Sequence, residues 1–240
     1  MGARIEGGRN IYGYDIGIII LDSTFPRIPG DVGNALTWDF PVLYRKVEGA
    51  NPKKVVTELT AEDTAPFIEA AVSLEKEGVR AITTSCGFLS LFQKELSGAV
   101  GIPVLTSALL MVPLVHKILD PIKQVGILTA HSGALSRGHL EAAGMSGVPS
   151  VIKGLQDKAV FTNFTQQNWQ SVDIDLCREE LVDSALELIN QNRDIGALVL
   201  ECANMPPFTK DIQKAAGLPV FDIVALTNMV YRSFHPKSYF

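Results

Sequence analysis

The sequence predicts an α/β fold of two pseudosymmetric lobes, each a mostly parallel sheet flanked by helices, with the active site in the cleft between them. Three observations carry this. The stretch Ala81-Ile82-Thr83-Thr84-Ser85-Cys86-Gly87-Phe88, then Phe92, Lys94 and Gly101-Ile102-Pro103-Val104, is echoed by Ala197-Leu198-Val199-Leu200-Glu201-Cys202-Ala203-Asn204, then Phe208, Lys210 and Gly217-Leu218-Pro219-Val220. The spacing is constant: 86 to 202 and 103 to 219 both span 116 residues. The opening strand repeats as well, Gly17 and Ser23 falling on Gly126 and Ser132 at a spacing of 109. Finally, apolar β-branched runs alternate with helical periodicity, the order that builds parallel sheets with covered faces.

Residues Met1 to Asn10, rich in Gly and Arg, read as a loose N-terminal segment. Ile16 to Leu21 is a continuous apolar run, the pattern of a strand buried on both faces. The Pro- and Gly-rich stretch from Phe25 to Asn34 then predicts a long loop, where α/β proteins build sites. Phe40 to Tyr44 and Lys54 to Val56 are expected as short strands. Thr60 is placed to cap a helix whose buried face carries Phe67, Ala71 and Leu74 and which Gly78 ends. The first cysteine strand, its helix and the strand at Val104 follow. An apolar helix from Leu109 to Ile118 leads to the strand beginning at Gln124. Val151 to Asn168 reads as a strand plus a loop closing over a site. A helix with three- and four-residue apolar spacing runs from Asp175 to the second cysteine strand. Ala225 to Tyr231 predicts a C-terminal helix. The first lobe is thus expected over residues 1–110, completed by 222–240, and the second over 111–221.

The bulk properties exclude several classes of partner. Over 240 residues, 47% are hydrophobic, the formal net charge is −5, and no run of Lys or Arg stands out. Neither nucleic acid nor an anionic membrane suits such a chain as main partner, while nothing in this balance speaks against a small anionic substrate, which needs only a few local donors. No apolar run approaches the ~20 residues of a membrane helix. No signal pattern opens the chain, and three cysteines without a CxxC spacing predict reduced thiols in a cytoplasm, with no metal site.

The repeated cysteines suggest the chemistry. Cys86 and Cys202, at equivalent strand ends, form a candidate catalytic pair: one thiolate takes a proton from a carbon acid and the other thiol returns one to the opposite face. A free thiol titrates near pH 8.5, so both forms are accessible after modest tuning. Backbone N–H groups after each cysteine would stabilise enolate charge, and Gly87 and Ala203 leave room for that approach. Phe88, Asn204, Ser23 and Ser132 complete the candidate substrate contacts. Arg27, Arg45 and Arg137 are candidate carboxylate binders, and His131 and His139 flank the Ser132 loop. Cys177 has no counterpart in the first half and reads as core.

On Thr84-Ser85-Cys86-Gly87, Leu200-Glu201-Cys202-Ala203 and the Ile18 to Ser23 opening, the chain resembles the aspartate/glutamate racemase superfamily, which includes hydantoin racemases, maleate isomerases and arylmalonate decarboxylases. The resemblance implies an interdomain site, no pyridoxal phosphate or other cofactor, and a homodimer. Asp22-Ser23 is similar to the Asp-Ser of the glutamate branch, so Asp22 joins the candidate site. Where glutamate racemases carry Cys-Asn-Thr and Cys-Thr-His, this chain has Cys86-Gly87-Phe88 and Cys202-Ala203-Asn204, which speaks against a dedicated glutamate racemase. The expected activity is racemisation or epimerisation next to a carboxylate or carbonyl, of an amino acid such as aspartate or glutamate or of a related compound. A maleate-type cis–trans isomerase and a non-catalytic two-lobed binding protein stand as alternatives.

Overall fold

The computed structural model describes residues 7–239; residues 1–6 of the N-terminal segment lie outside the described residues. The first sheet contains β1 (Ile16–Leu21), β2 (Val42–Val47), β3 (Ala81–Thr84) and β4 (Val104–Leu105), in the order β2-β1-β3-β4. The second contains β5 (Gln124–Thr129), β6 (Ser150–Gly154), β7 (Ile195–Leu200) and β8 (Val220–Phe221), in the matching order β6-β5-β7-β8. Among the described residues all six strand pairings are parallel. The duplication is present residue by residue. Gly17 pairs with Ile82 and Gly126 with Leu198, while Ile82 pairs with Val104 and Leu198 with Val220. The repeated glycines share a cause, since a Cβ on Gly17 would stand 3.0 Å from Leu74 and one on Gly126 2.7 Å from Leu198.

Helices fill the crossovers. Residues Lys54 to Val56 are not a strand but lie in α1 (Pro52–Thr57). Asn51 caps it, accepting the Lys54 N–H at 2.9 Å, and Pro52 occupies the first turn. That Asn-Pro start outweighs the β preference of Val55 and Val56. Thr60 and Asp63 form a capping box, which opens a 3-10 turn before α2 (Ala65–Glu77). Gly78 ends α2 at φ +96°, a left-handed conformation suited to glycine. A 3-10 turn over Gly87–Phe92 leads into α3 (Gln93–Ala99), and another over Ala108–Met111 into α4 (Val112–Ile118).

In the second half, α5 (Arg137–Ala142) precedes β6. The segment expected to close over a site contains α6 (Phe161–Gln166). α7 (Ile174–Gln191), α8 (Thr209–Ala216) and α9 (Ile223–Phe234) follow. The last packs back on β3, with Tyr231 stacked on Phe40 at 3.6 Å between ring centroids. One apolar cluster spans the first sheet and reaches Val125, Ile127, Ala197 and Val199 of the second. Another lies beneath α6, α7 and α8 and takes in Phe25 from the loop after β1. Among the described residues no helix is long and apolar enough to cross a membrane.

Candidate active site

Both cysteines follow strands that end beside the opening strand of their own half. The N–H of Ser85 donates to Ile19 O at 3.0 Å, and the N–H of Glu201 to Leu128 O at 2.8 Å. Ser85 and Glu201 are therefore structural equivalents, and here the halves part company. The Ser85 hydroxyl accepts the Leu21 N–H at 3.1 Å. Glu201 instead puts a carboxylate into the interface between the halves, with no solvent exposure. Its Oε2 accepts the Thr129 hydroxyl at 2.7 Å and the Ala130 N–H acts on the carboxyl as a whole, whereas Oε1 has no hydrogen-bond partner among the described residues. Burial pushes the carboxyl up to about 7, with the Thr129 and Ala130 donors opposing the rise.

Gly87 is shaped by this carboxylate. A Cβ there would stand 2.1 Å from Glu201 Oε1 and 2.3 Å from the Glu201 carbonyl oxygen. Its equivalent Ala203 carries a Cβ in a buried position. Gly87→Ala is expected to destabilise the fold by about 2 kcal/mol through overpacking. Chemical denaturation at pH 7 checks this, and an unchanged midpoint refutes the close packing of Glu201 on Gly87.

The two thiols stand in different surroundings. Cys86 opens the 3-10 turn, and its sulfur faces the N–H groups of Phe88 and Leu89. Cys202 donates to Asn204 Oδ1 at 3.6 Å and receives the Asn204 N–H. Burial, and next to it the charge of Glu201, raises both thiols, Cys86 to about 12. Arg27 favours the Cys86 thiolate, whereas Cys86 and Asp31 both oppose ionisation of Cys202. At Cys86 the Phe88 and Leu89 N–H groups and the charge of Arg27 all act in favour of the thiolate.

The long loop after β1 ties the halves together. Asn204 Nδ2 donates to Asp31 Oδ2 at 2.6 Å, Arg27 Nη1 to Asp31 Oδ1 at 2.7 Å, and Arg27 Nη2 to Ser23 Oγ at 2.9 Å. Gly33 makes room for Arg27, whose Cδ lies 2.4 Å from where a Gly33 Cβ would stand. On the other side, Asn168 Oδ1 accepts the N–H groups of Thr24 and Phe25 at 2.6 and 3.0 Å. Asn168 does so at φ +57°, a left-handed conformation that asparagine tolerates better than most residues. Phe25 packs edge-on against Phe164 at 5.6 Å, clamping the loop to α6.

Together these elements line a narrow pocket whose water-accessible volume is about 20 Å³. Cys86, Gly87, Phe88, Cys202 and Asn204, all expected at the site, line it together with Arg27. Ser23 stands behind the wall, bonded to Arg27, and Ala203 is buried beside Cys202. Two of the expected residues stand elsewhere. Asp22 holds the Gly49 N–H at 3.1 Å, which with nearby Lys46 keeps its carboxyl below the usual range. Ser132 donates to Gln156 from an exposed position. Arg45 and Arg137 are taken up by Glu77 and Glu141, and His139 is buried edge-on against Phe88. The sequence reading did not single out Glu201, Asp31, Thr129 or Gln166. Of these only Glu201 carried a signal, standing where its equivalent is a serine.

No protein-family model matches the chain. It is 32% identical over 232 residues to a dimethylsulfoniopropionate lyase of Durusdinium sp. clade D, covering 94% of this chain and 76% of that protein. It is 29% identical over 228 residues to dimethylsulfoniopropionate lyase 3 of Emiliania huxleyi, covering 91% of this chain and 59% of the relative. Among solved structures, a Gly74Cys mutant of arylmalonate decarboxylase superposes with a TM-score of 0.64 at 17% identity, over 93% of this chain and 94% of that one. Glutamate racemase from Francisella tularensis gives 0.60 at 18% identity, over 93% and 81%. The fold is that of arylmalonate decarboxylase and glutamate racemase, as the resemblance implied, and relatives and fold neighbours alike are enzymes.

The expected racemase or epimerase activity does not stand, because the curated relatives that share most of the chain are lyases. The maleate-type isomerase and the binding protein fall with it. Symmetric use of two thiols was the physical basis of that expectation. The structure makes the pair unequal, through Glu201 in place of Ser85 and through the separate partners of each sulfur.

Proposed function

The chain belongs to the dimethylsulfoniopropionate lyase family, and on that premise we propose that it catalyses β-elimination of a sulfonium-substituted propionate, with Cys86 as the base. The thiolate takes a proton from the carbon next to the carboxylate. The C–H electron pair becomes the C=C bond of acrylate. The C–S bond breaks with its pair passing to sulfur, which leaves as neutral dimethyl sulfide. The proton on Cys86 then passes to water. Atoms and electrons balance without a cofactor, and since the leaving group departs uncharged, no acid is needed to assist it.

This chemistry suits an unequal pair of thiols, one serving as base and the other remaining a neutral thiol held by Asn204. Burial raises the Cys86 thiol to about 12, far above the pH at which a general base works best, so the reading requires the cationic substrate to lower it on arrival. Backbone N–H groups of the turn at Cys86 favour the thiolate, as a helix start does. The single observation that carries the reading is the 32% identity to a dimethylsulfoniopropionate lyase over 94% of this chain.

The test is to incubate the purified chain with dimethylsulfoniopropionate, following acrylate by proton NMR and dimethyl sulfide by headspace gas chromatography. Equal amounts of the two are expected, with turnover well beyond one per protein. Folded protein that yields no acrylate refutes the reading.

A further inference from the structure

Two buried polar atoms in the pocket lack partners among the described residues: Oε1 of Glu201, an acceptor, and Nε2 of Gln166, a donor. Buried polar groups are nearly always paired, so two orphans of opposite character lining one cavity are open to a bound ligand. They come from different elements. Glu201 follows β7, and Gln166 ends α6. The remaining charges are already spoken for, since Arg27 and Asp31 pair with each other at 2.7 Å. Much of the rest of the wall is apolar, including Leu21, Phe25, Val56 and Phe88. Such a pocket offers one carboxylate and one neutral hydrogen-bond donor among apolar side chains.

We propose that Glu201 is the counter-charge for the onium head of the substrate and that Gln166 binds its carboxylate, making the pair the specificity determinants of the site. The inference rests on the elimination reading above and deepens it. A sulfonium has no N–H or O–H to donate, so it is recognised by charge and by apolar contact. A carboxylate with one free oxygen against an apolar wall supplies both, and Gly87 keeps that oxygen clear of a neighbouring Cβ. The amide of Gln166 offers an N–H to an anion without adding a charge that would repel the onium group. An amino acid with two carboxylates, the substrate of an aspartate or glutamate racemase, would set a second anion against Glu201.

The test separates recognition from turnover. Calorimetry compares 3-(trimethylammonio)propionate with its carbon isostere, 4,4-dimethylpentanoate, which keeps shape and carboxylate but loses the cation. The wild-type chain is expected to prefer the ammonium compound at least ~30-fold. Glu201→Gln is expected to reduce that preference at least ~10-fold while changing affinity for the carbon isostere less than ~3-fold. Glu201→Met, of similar volume, replaces it if the amide variant does not fold. Gln166→Leu is expected to weaken both ligands alike, ~5–10-fold. A wild-type chain that binds the two ligands equally overturns the proposal, as does a Glu201 variant that keeps the ammonium preference. Because neither ligand is turned over, absence of acrylate from the wild type would refute the elimination reading and leave this result standing on its own.

Discussion

Replacing Cys86 with serine is expected to lower kcat for acrylate formation by about a thousandfold or more, with KM changed only slightly. General base catalysis contributes about 10²–10⁴ in rate, and a serine hydroxyl is far harder to ionise than a thiol. A thousandfold loss is about 4 kcal/mol of transition-state stabilisation. The equivalent change at Cys202 is expected to cost about tenfold and to act on KM as well. That sulfur stays a neutral thiol, bonded to Asn204 at 3.6 Å and opposed as an anion by Glu201, Cys86 and Asp31. The difference between the sulfurs is electrostatic. Cys86 faces two N–H groups and lies within the influence of Arg27. Little of it is ionised in the empty pocket at neutral pH, so ionisation is coupled to arrival of a cationic ligand beside Glu201. Steady-state kinetics on both serine variants decides the matter. A larger kcat loss in Cys202→Ser than in Cys86→Ser would transfer the base to Cys202.

The duplication was legible because strand pairing preserves register. Spacings of 109 and 116 between Gly17 and Gly126 and between Cys86 and Cys202 reappear as matched pairings in the two sheets. The interval from β6 to β7 exceeds that from β2 to β3, and the extra chain lies after α6, which falls on α1 at the same spacing of 109 residues. That counterpart was itself misread as a strand and carries Thr57 where this half has Gln166, so the repeat did not mark the residue. α1 was misread because Val55 and Val56 favour a strand, while the start signal lay just upstream in Asn51 and Pro52. Glu201 stood inside the motif that revealed the repeat, yet its burial depends on Thr129 and Gly87, brought to it by other elements. The symmetry that exposed the fold also pointed to the wrong reaction. Two thiols at equivalent positions suggested interchangeable roles, and only the three-dimensional partners of each sulfur make them unequal.

Glu201→Gln is expected to raise stability relative to wild type by up to about 3 kcal/mol once the pH is above 7. The carboxyl is held at about 7 in the fold against an ordinary 4.5, and it is fully buried. Each unit of that difference is worth about 1.4 kcal/mol. The sign follows from which state binds the proton more tightly. Here it is the folded state, so folding takes up a proton between 4.5 and 7 and stability falls as pH rises through that window. Below 4.5 the carboxyl is protonated in both states and the penalty vanishes; above 7 it is ionised in both and the penalty is complete. The amide never ionises, so the variant lacks this component, while the other titrating groups are common to both chains and cancel. Any fixed cost of burying the amide N–H shifts the two curves apart equally at every pH and leaves their divergence intact. Urea denaturation at pH 4.5 and pH 8.5 measures it. Wild type and variant should differ at pH 8.5 by about 3 kcal/mol more, in the variant's favour, than at pH 4.5. Parallel behaviour would show that Glu201 keeps an ordinary pKa and that the pocket imposes no charge penalty. A chain that keeps such a residue holds a buried anion at a standing cost to its own stability, and a cation bound against Oε1 is what would offset that cost.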